Sequence, residues 1–145
     1  MRADDPKAVV RLINEDLFSG LTPSGHTLNI DSDRERNSAP SPMDLLLVAL
    51  GSCTGVDVAS ILRKKREDVT DYRIEVCGQR REQHPRSYER MEVHHIVTGC
   101  NISERSVAQA IELSEQKYCS VAATLRPTVE IESTYEIIQA DASRG

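Results

Sequence analysis

The sequence has no tryptophan and a single phenylalanine, Phe18. Its interior must therefore be built mainly from Leu, Ile, Val and Ala. It has no Cys-x-x-Cys pair among its four cysteines, Cys53, Cys77, Cys100 and Cys119. Structural zinc usually needs such close paired spacings, so it fits poorly. No G-x-x-x-x-G-K-[ST] phosphate loop and no G-x-S-x-G nucleophile elbow occurs. There is no excess of positive charge: Lys and Arg total 18 against 23 Asp and Glu, a net −5. Proteins that hold nucleic acid neutralise phosphates with surplus Lys and Arg, so nucleic acid is not the expected partner. The longest uninterrupted apolar run, Leu45 to Leu50, is far shorter than a bilayer span requires. The opening "MRADDPKAVV" is acidic and lacks the apolar stretch of a signal peptide. These absences lead to the expectation of a cytoplasmic protein with no membrane partner. A reducing cytoplasm also argues against a framework of disulfides.

What is present suits one domain spanning residues 1–145, or one subunit of a compact oligomer. Hydrophobic residues make up 39% and charged residues 28%, a globular balance. A chain of this size keeps much of its surface exposed, and an oligomer would bury more of it. Residues 7–18 and 25–31 read as two strands joined by the turn material of "SGLTPSG". The polar loop "DSDRERNSAPSP" follows. Ser41, Pro42 and Asp44 then open a helix, predicted over 42–65: a cap, a proline in first position and an acid at the third. This helix is apolar on every side, as a buried helix is. Its closing run, Arg63-Lys64-Lys65-Arg66, suits the negative end of a helix dipole.

Downstream, "DYRIEVCGQRRE" and "YERMEVHHIVTG" alternate with a period of two, with "HPRS" turning the chain between them. An antiparallel hairpin is expected, with Tyr72, Ile74, Val76 and Gly78 on one face and Met91, Val93, His95 and Val97 on the buried side. A second helix should begin at Ser103 and align Val107, Ala110, Ile111, Ser114 and Tyr118. Pro127 ends it, and a last strand over 128–138 points Val129, Ile131, Tyr135 and Ile137 one way and glutamates the other. The order β-β-α-β-β-α-β defines an α+β fold.

The chemistry that these residues could carry centres on thiols. Cys53 lies inside the apolar helix and Cys119 follows the second one. A thiol becomes a nucleophile when a cation or a helix N-terminus favours its thiolate, whereas apolar burial alone does the reverse. Cys53 would therefore need a positive partner. Arg80 shares the parity of the core-facing residues of its strand, while Arg34 and Arg36 in the pre-helix loop are rivals. Snorkelling at the strand end is the plainer explanation of Arg80, as packing is of a buried cysteine. Cys77 and Cys100 read as bystanders. His94 and His95 point to opposite faces, and a metal site from His84, His95 and Cys100 lacks any familiar spacing. Neither metal nor cofactor is implied.

"APSPMDLLLVALGSCTGVDV" and "AIELSEQKYCSVAATL" together resemble the OsmC/Ohr family, the osmotically inducible and organic hydroperoxide resistance proteins. The first resembles that family's proline-led helix bearing a cysteine, the second its second cysteine motif. The likeness covers roughly residues 7–138. "DVASIL", "DVTDYRIEV" and "QRREQHPRSYERMEVHHIVTG" are similar to an OsmC-like branch of poorly defined role. The resemblance implies an intertwined homodimer with two central hydrophobic helices wrapped by antiparallel sheets. It also implies thiol peroxidase chemistry: Cys53 attacks a hydroperoxide, Cys119 resolves the product to a disulfide, and an external dithiol restores both thiols. Two departures stand out. Where the family has a glutamate after the helix-opening proline, this sequence has Met43, and Asp44 either takes over that role or caps the helix. The family's arginine has no single counterpart, with Arg34, Arg36 and Arg80 all available. A non-enzymatic reading also stands beside the peroxidase, in which the fold holds a small apolar ligand or senses redox state.

Overall fold

A computed structural model describes residues 1–141. The chain forms two compact units, Met1–Leu46 and the residues from Leu47 onward. In the first, β1 (Val9–Asn14), β2 (Leu17–Leu21) and β3 (Thr27–Asp31) make an antiparallel sheet in that order. The single strand expected over 7–18 is in fact two. The chain reverses at Glu15, whose φ of 47° lies in the left-handed region. "NED" carries the Asn and Asp that tolerate such turns, a signal masked by the apolar residues on either side. The first part of "SGLTPSG" consequently belongs to β2, and the next turn falls at Thr22–Gly25, where Gly25 donates to the Thr22 carbonyl and adopts a φ of 89°.

After β3 the polar loop is organised around Asp31, which is buried. Arg36 donates to both its oxygens, Nε to Oδ2 at 2.9 Å and Nη2 to Oδ1 at 2.8 Å. Ser38 adds its hydroxyl at 2.7 Å and its backbone N–H at 3.1 Å. These donors, Arg36 foremost and Ser38 next, hold the Asp31 carboxyl well below the usual carboxylate range. Asp31 in turn raises Arg36 above its ordinary value.

Helix α1 (Pro42–Lys64) ends one residue before the expected limit. Its start is a reciprocal capping box: Ser41 N–H donates to Asp44 Oδ2 at 2.9 Å, and Asp44 N–H donates to Ser41 Oγ at 3.1 Å. By length and composition alone the whole helix is long and apolar enough to cross a membrane, which the short run Leu45–Leu50 did not reveal. In this fold its later turns serve as core, with Leu50, Val58 and Leu62 buried.

In the second unit, β4 (Asp68–Arg80) and β5 (Tyr88–Cys100) form the expected antiparallel hairpin. Strand β6 (Glu130–Gln139) joins the other edge of β5 but runs parallel to it, correcting the expectation of wholly antiparallel sheets. The chain between β5 and β6 is helical and carries the backbone across to re-enter in the same direction, as a parallel pair requires. The central strand β5 is the most buried, with Met91, Val93, His95 and Val97 inside as its alternation requires. Val97 packs in one cluster with Val58 and Leu62 of α1 and with Ile102, Val107, Ala110 and Ile111.

The last three belong to α2 (Glu104–Leu113), capped by Ser103, whose hydroxyl accepts from Ser106 N–H at 3.3 Å. Here the regular helix stops. Residues Ser114–Tyr118 form a π-turn, and Cys119 N–H donates to the Ser114 carbonyl at 2.8 Å. The wider turn shifts the helical phase, so Tyr118 is about half exposed instead of following Ser114 inward. A short helix α3 (Ser120–Leu125) completes the crossover.

Candidate functional site

The glycines around Cys53 have a steric reason. A Cβ on Gly51 would lie 3.0 Å from Val76 Cγ2, and one on Gly55 2.6 Å from Ile74 Cδ1. Small residues four apart let α1 press against β4. Thr54 and Gly55 are buried and Cys53 is half-buried on the same turns.

Cys119 is buried and caps α3, its Sγ accepting from Ala122 N–H at 3.4 Å. The structure brings the two candidate thiols together: the Cys53 side chain lies close enough to Cys119 to act on its thiol. All four cysteines are free. Burial, foremost, pushes the Cys119 thiol up to about 11, with the Cys53 contact and the Asp57 charge adding to it and the Ala122 N–H opposing. Cys119 is thus protonated at neutral pH. Cys77 is exposed and Cys100 half-buried at the end of β5.

Beside the thiols lies a polar cluster of which helical spacing marked only Ser114, as an inward-facing residue. Ser114, fully buried, donates to Asp57 Oδ2 at 2.8 Å and lies 3.0 Å from Thr54 Oγ1. The available signal was a serine in register with the buried face of the second predicted helix and an acid within an apolar helix. A second polar pair joins the half-buried Tyr72 to Nδ1 of the buried His95. Burial raises the Tyr72 hydroxyl above its ordinary value and pushes His95 down to about 4, with His94 a lesser cause. His94 itself faces the other way, 2.7 Å from Thr134 Oγ1. Among the described residues no three His, Cys, Asp or Glu side chains gather as a metal site, so His84, His95 and Cys100 do not form one.

Of the charged candidates, Arg80, Arg36 and Asp44 already have partners. Arg80 lies where the β4–β5 register slips, and its Nε donates to the Arg86 carbonyl in the hairpin at 2.6 Å. Arg36 is the clamp of Asp31, and Arg34 is exposed in the same loop. Asp44 forms the capping box. Alongside α1 and β4 runs a groove of about 400 Å³ lined chiefly by Leu47, Val48, Gly51, Ile74 and Val76.

A family model described as OsmC-like protein matches residues 35–134. This chain belongs to the OsmC-like family. It is 40% identical over 134 residues to Protein YhfA of Escherichia coli (strain K12), covering 92% of this chain and 99% of that protein. It is 35% identical to a hypothetical protein of Aquifex aeolicus VF5 whose crystal structure superposes with a TM-score of 0.84, covering 95% of this chain and 99% of that one. The organic hydroperoxide resistance protein OhrB of Bacillus subtilis shares the fold at 12% identity, with a TM-score of 0.63 over 90% of this chain and 97% of that one. The OsmC-like resemblance read from the two cysteine motifs therefore holds, and with it the mixed α+β architecture.

Proposed function

We propose that this OsmC-like protein is a cysteine-based peroxidase that reduces organic hydroperoxides, and hydrogen peroxide less well, through Cys53 and Cys119. The observation that carries the reading is the pairing of these two thiols across α1 and the π-turn. Because Cys119 is held as a thiol, the first attack falls to Cys53. Its thiolate attacks the nearer peroxide oxygen, the O–O bond breaks, and the departing alkoxide takes a proton to become an alcohol. Cys53 is left as a sulfenic acid. The Cys119 sulfur then forms the S–S bond as hydroxide leaves Cys53 and takes up the Cys119 proton, giving water. An external dithiol reduces the disulfide by exchange, becoming a disulfide itself. Free thiols suit a cytoplasmic setting.

The working unit in this reading is an intertwined homodimer. α1 presents Val48 and Val56 to solvent at 63% and 69% exposure, and β1 presents Val10, Leu12 and Ile13. Apolar side chains repeated along one helix are what a partner copy would cover. Asp44 is assigned the helix cap. Arg80 is assigned to the Cys53 thiolate only if it leaves the Arg86 carbonyl when a second copy is present.

The alternative, a binder of a small apolar ligand or a redox sensor, draws on the open groove beside α1 and on Met43 in place of the family's glutamate. Exposure to one equivalent of cumene hydroperoxide separates the two. The peroxidase should lose two hydrogens rapidly by intact mass, and neither Cys53→Ser nor Cys119→Ser should form that intramolecular disulfide. Four free thiols after the exposure would overturn the enzyme reading.

A further inference from the structure

Ser114 touches both cysteine-bearing elements with different atoms. Its side chain reaches α1 at Asp57 and Thr54, the latter adjacent to Cys53 in sequence. Its carbonyl accepts the backbone N–H of Cys119 across the π-turn. A serine with no exposure is costly to bury unless its hydroxyl is bonded. An alanine would pack there without that demand. A π-turn likewise departs from the regular ladder, and such bulges gather at functional sites. Two separate departures from the simplest helix thus meet at one residue, which bonds both to the helix that carries Cys53 and to the backbone of Cys119.

We propose that Ser114, anchored by Asp57 and Thr54, is the positioning residue for the resolving step: it holds the Cys119 thiol against Cys53 so that disulfide formation outpaces further oxidation. This deepens the peroxidase reading and rests on it. The step served is Cys53–S–OH + Cys119–SH → Cys53–S–S–Cys119 + H2O. The S–O bond breaks, the S–S bond forms, and the Cys119 proton leaves in the water. A sulfur displaced from line by an ångström can lose on the order of a hundredfold in rate. A thiol that resolves slowly leaves its partner open to sulfinic acid.

The test separates the two steps. Parent, Ser114→Ala, Asp57→Ala and Asp57→Asn are treated with cumene hydroperoxide. Peroxide loss, dimedone capture at Cys53 and disulfide mass are followed in time. Asp57→Asn keeps an acceptor for the Ser114 hydroxyl while removing the charge. The expected result is peroxide loss within twofold of parent in every variant. Disulfide formation should slow at least tenfold in Ser114→Ala and Asp57→Ala, with a dimedone adduct accumulating on Cys53, and should return to within threefold of parent in Asp57→Asn. Parental disulfide rates in Ser114→Ala and Asp57→Ala would overturn the proposal. A parallel oxidation with diamide forms the same disulfide without peroxide. Ser114→Ala should be slowed there as well. If diamide closes the Ser114→Ala disulfide at the parental rate, the positioning role fails whatever the peroxide does. If peroxide is not consumed but diamide shows the tenfold loss, the peroxidase reading fails while the geometric role of Ser114 stands.

Discussion

At the scale of single residues, the core holds one group that should make the protein sensitive to mild acid. His95 is fully buried, and its folded value of about 4 lies below the ordinary 6.5. The unfolded chain therefore binds the proton more readily than the folded one. The stabilisation from keeping this ring neutral is complete above the unfolded value and is lost as pH falls from about 6.5 toward 4, by roughly 3 kcal/mol at the low end. Asp31 acts lower. Its carboxyl is depressed by Arg36 and Ser38, so its contribution is intact above ~3.9 and lost as pH falls below that. Urea midpoints measured from pH 7 to pH 3 should thus fall in two stages. His95→Gln removes the titrating ring and should flatten the upper stage while leaving the lower. An unchanged slope between pH 6.5 and 4 in that variant would assign the acid sensitivity elsewhere. His95 was legible as an inward-facing residue from its alternation with Val93 and Val97. Its pairing with Tyr72 was not, because it lies on a diagonal between two strands whose register only the folded hairpin fixes.

At the scale of elements, boundaries and caps were legible where local chemistry decides them. Ser41, Pro42 and Asp44 announce the start of α1, and Ser103 that of α2, because a cap bonds within its own few residues. Replacing Ser41 by Ala removes the acceptor for Asp44 N–H and should cost about 1 kcal/mol in an equilibrium unfolding experiment. Arrangements set by distant partners were hidden. The parallel entry of β6 depends on where the crossover lands, and the π-turn depends on Ser114 reaching α1, so neither leaves a periodic mark. Gly99 shows the same dependence. It sits beside the irregular pairing of Val69 and Asp71, and a Cβ there would run into the backbone carbonyl of Asp68. A main-chain oxygen cannot swing aside as a side-chain tip can. Gly99→Ala should therefore destabilise the β4–β5 hairpin, by about 1–3 kcal/mol on the scale of overpacked sites. Amide exchange along β4 would report it. Protection at Asp68–Asp71 equal to that of the parent would show that the hairpin yields at no cost.

At the scale of the molecule, the apolar surface of the single chain is the feature that its own core does not account for. α1 is rich in Leu and Val, yet only 28% of its most apolar window is buried within one chain. The same helix carries Cys53, half-buried and three residues from the exposed Val56. A second copy would account for that surface, since a self-complementary contact along α1 would bury the exposed stripe and would enclose Cys53 in an apolar setting where alkyl peroxides partition better than water. The expected assembly is a dimer of the 16.2 kDa chain by light scattering, at concentrations where turnover is measured. The double variant Val48→Glu, Val56→Glu should shift that mass to the monomer, because two buried charges cost several kcal/mol where they face an apolar partner. Activity should fall with it. The comparison of the two readouts decides what the dimer contributes. Loss of activity in step with loss of the dimer would make the enclosed interface part of the chemistry. A monomer that still forms the Cys53–Cys119 disulfide at the parental rate would make the thiol pair self-sufficient, leaving the second copy as protection for an exposed helix.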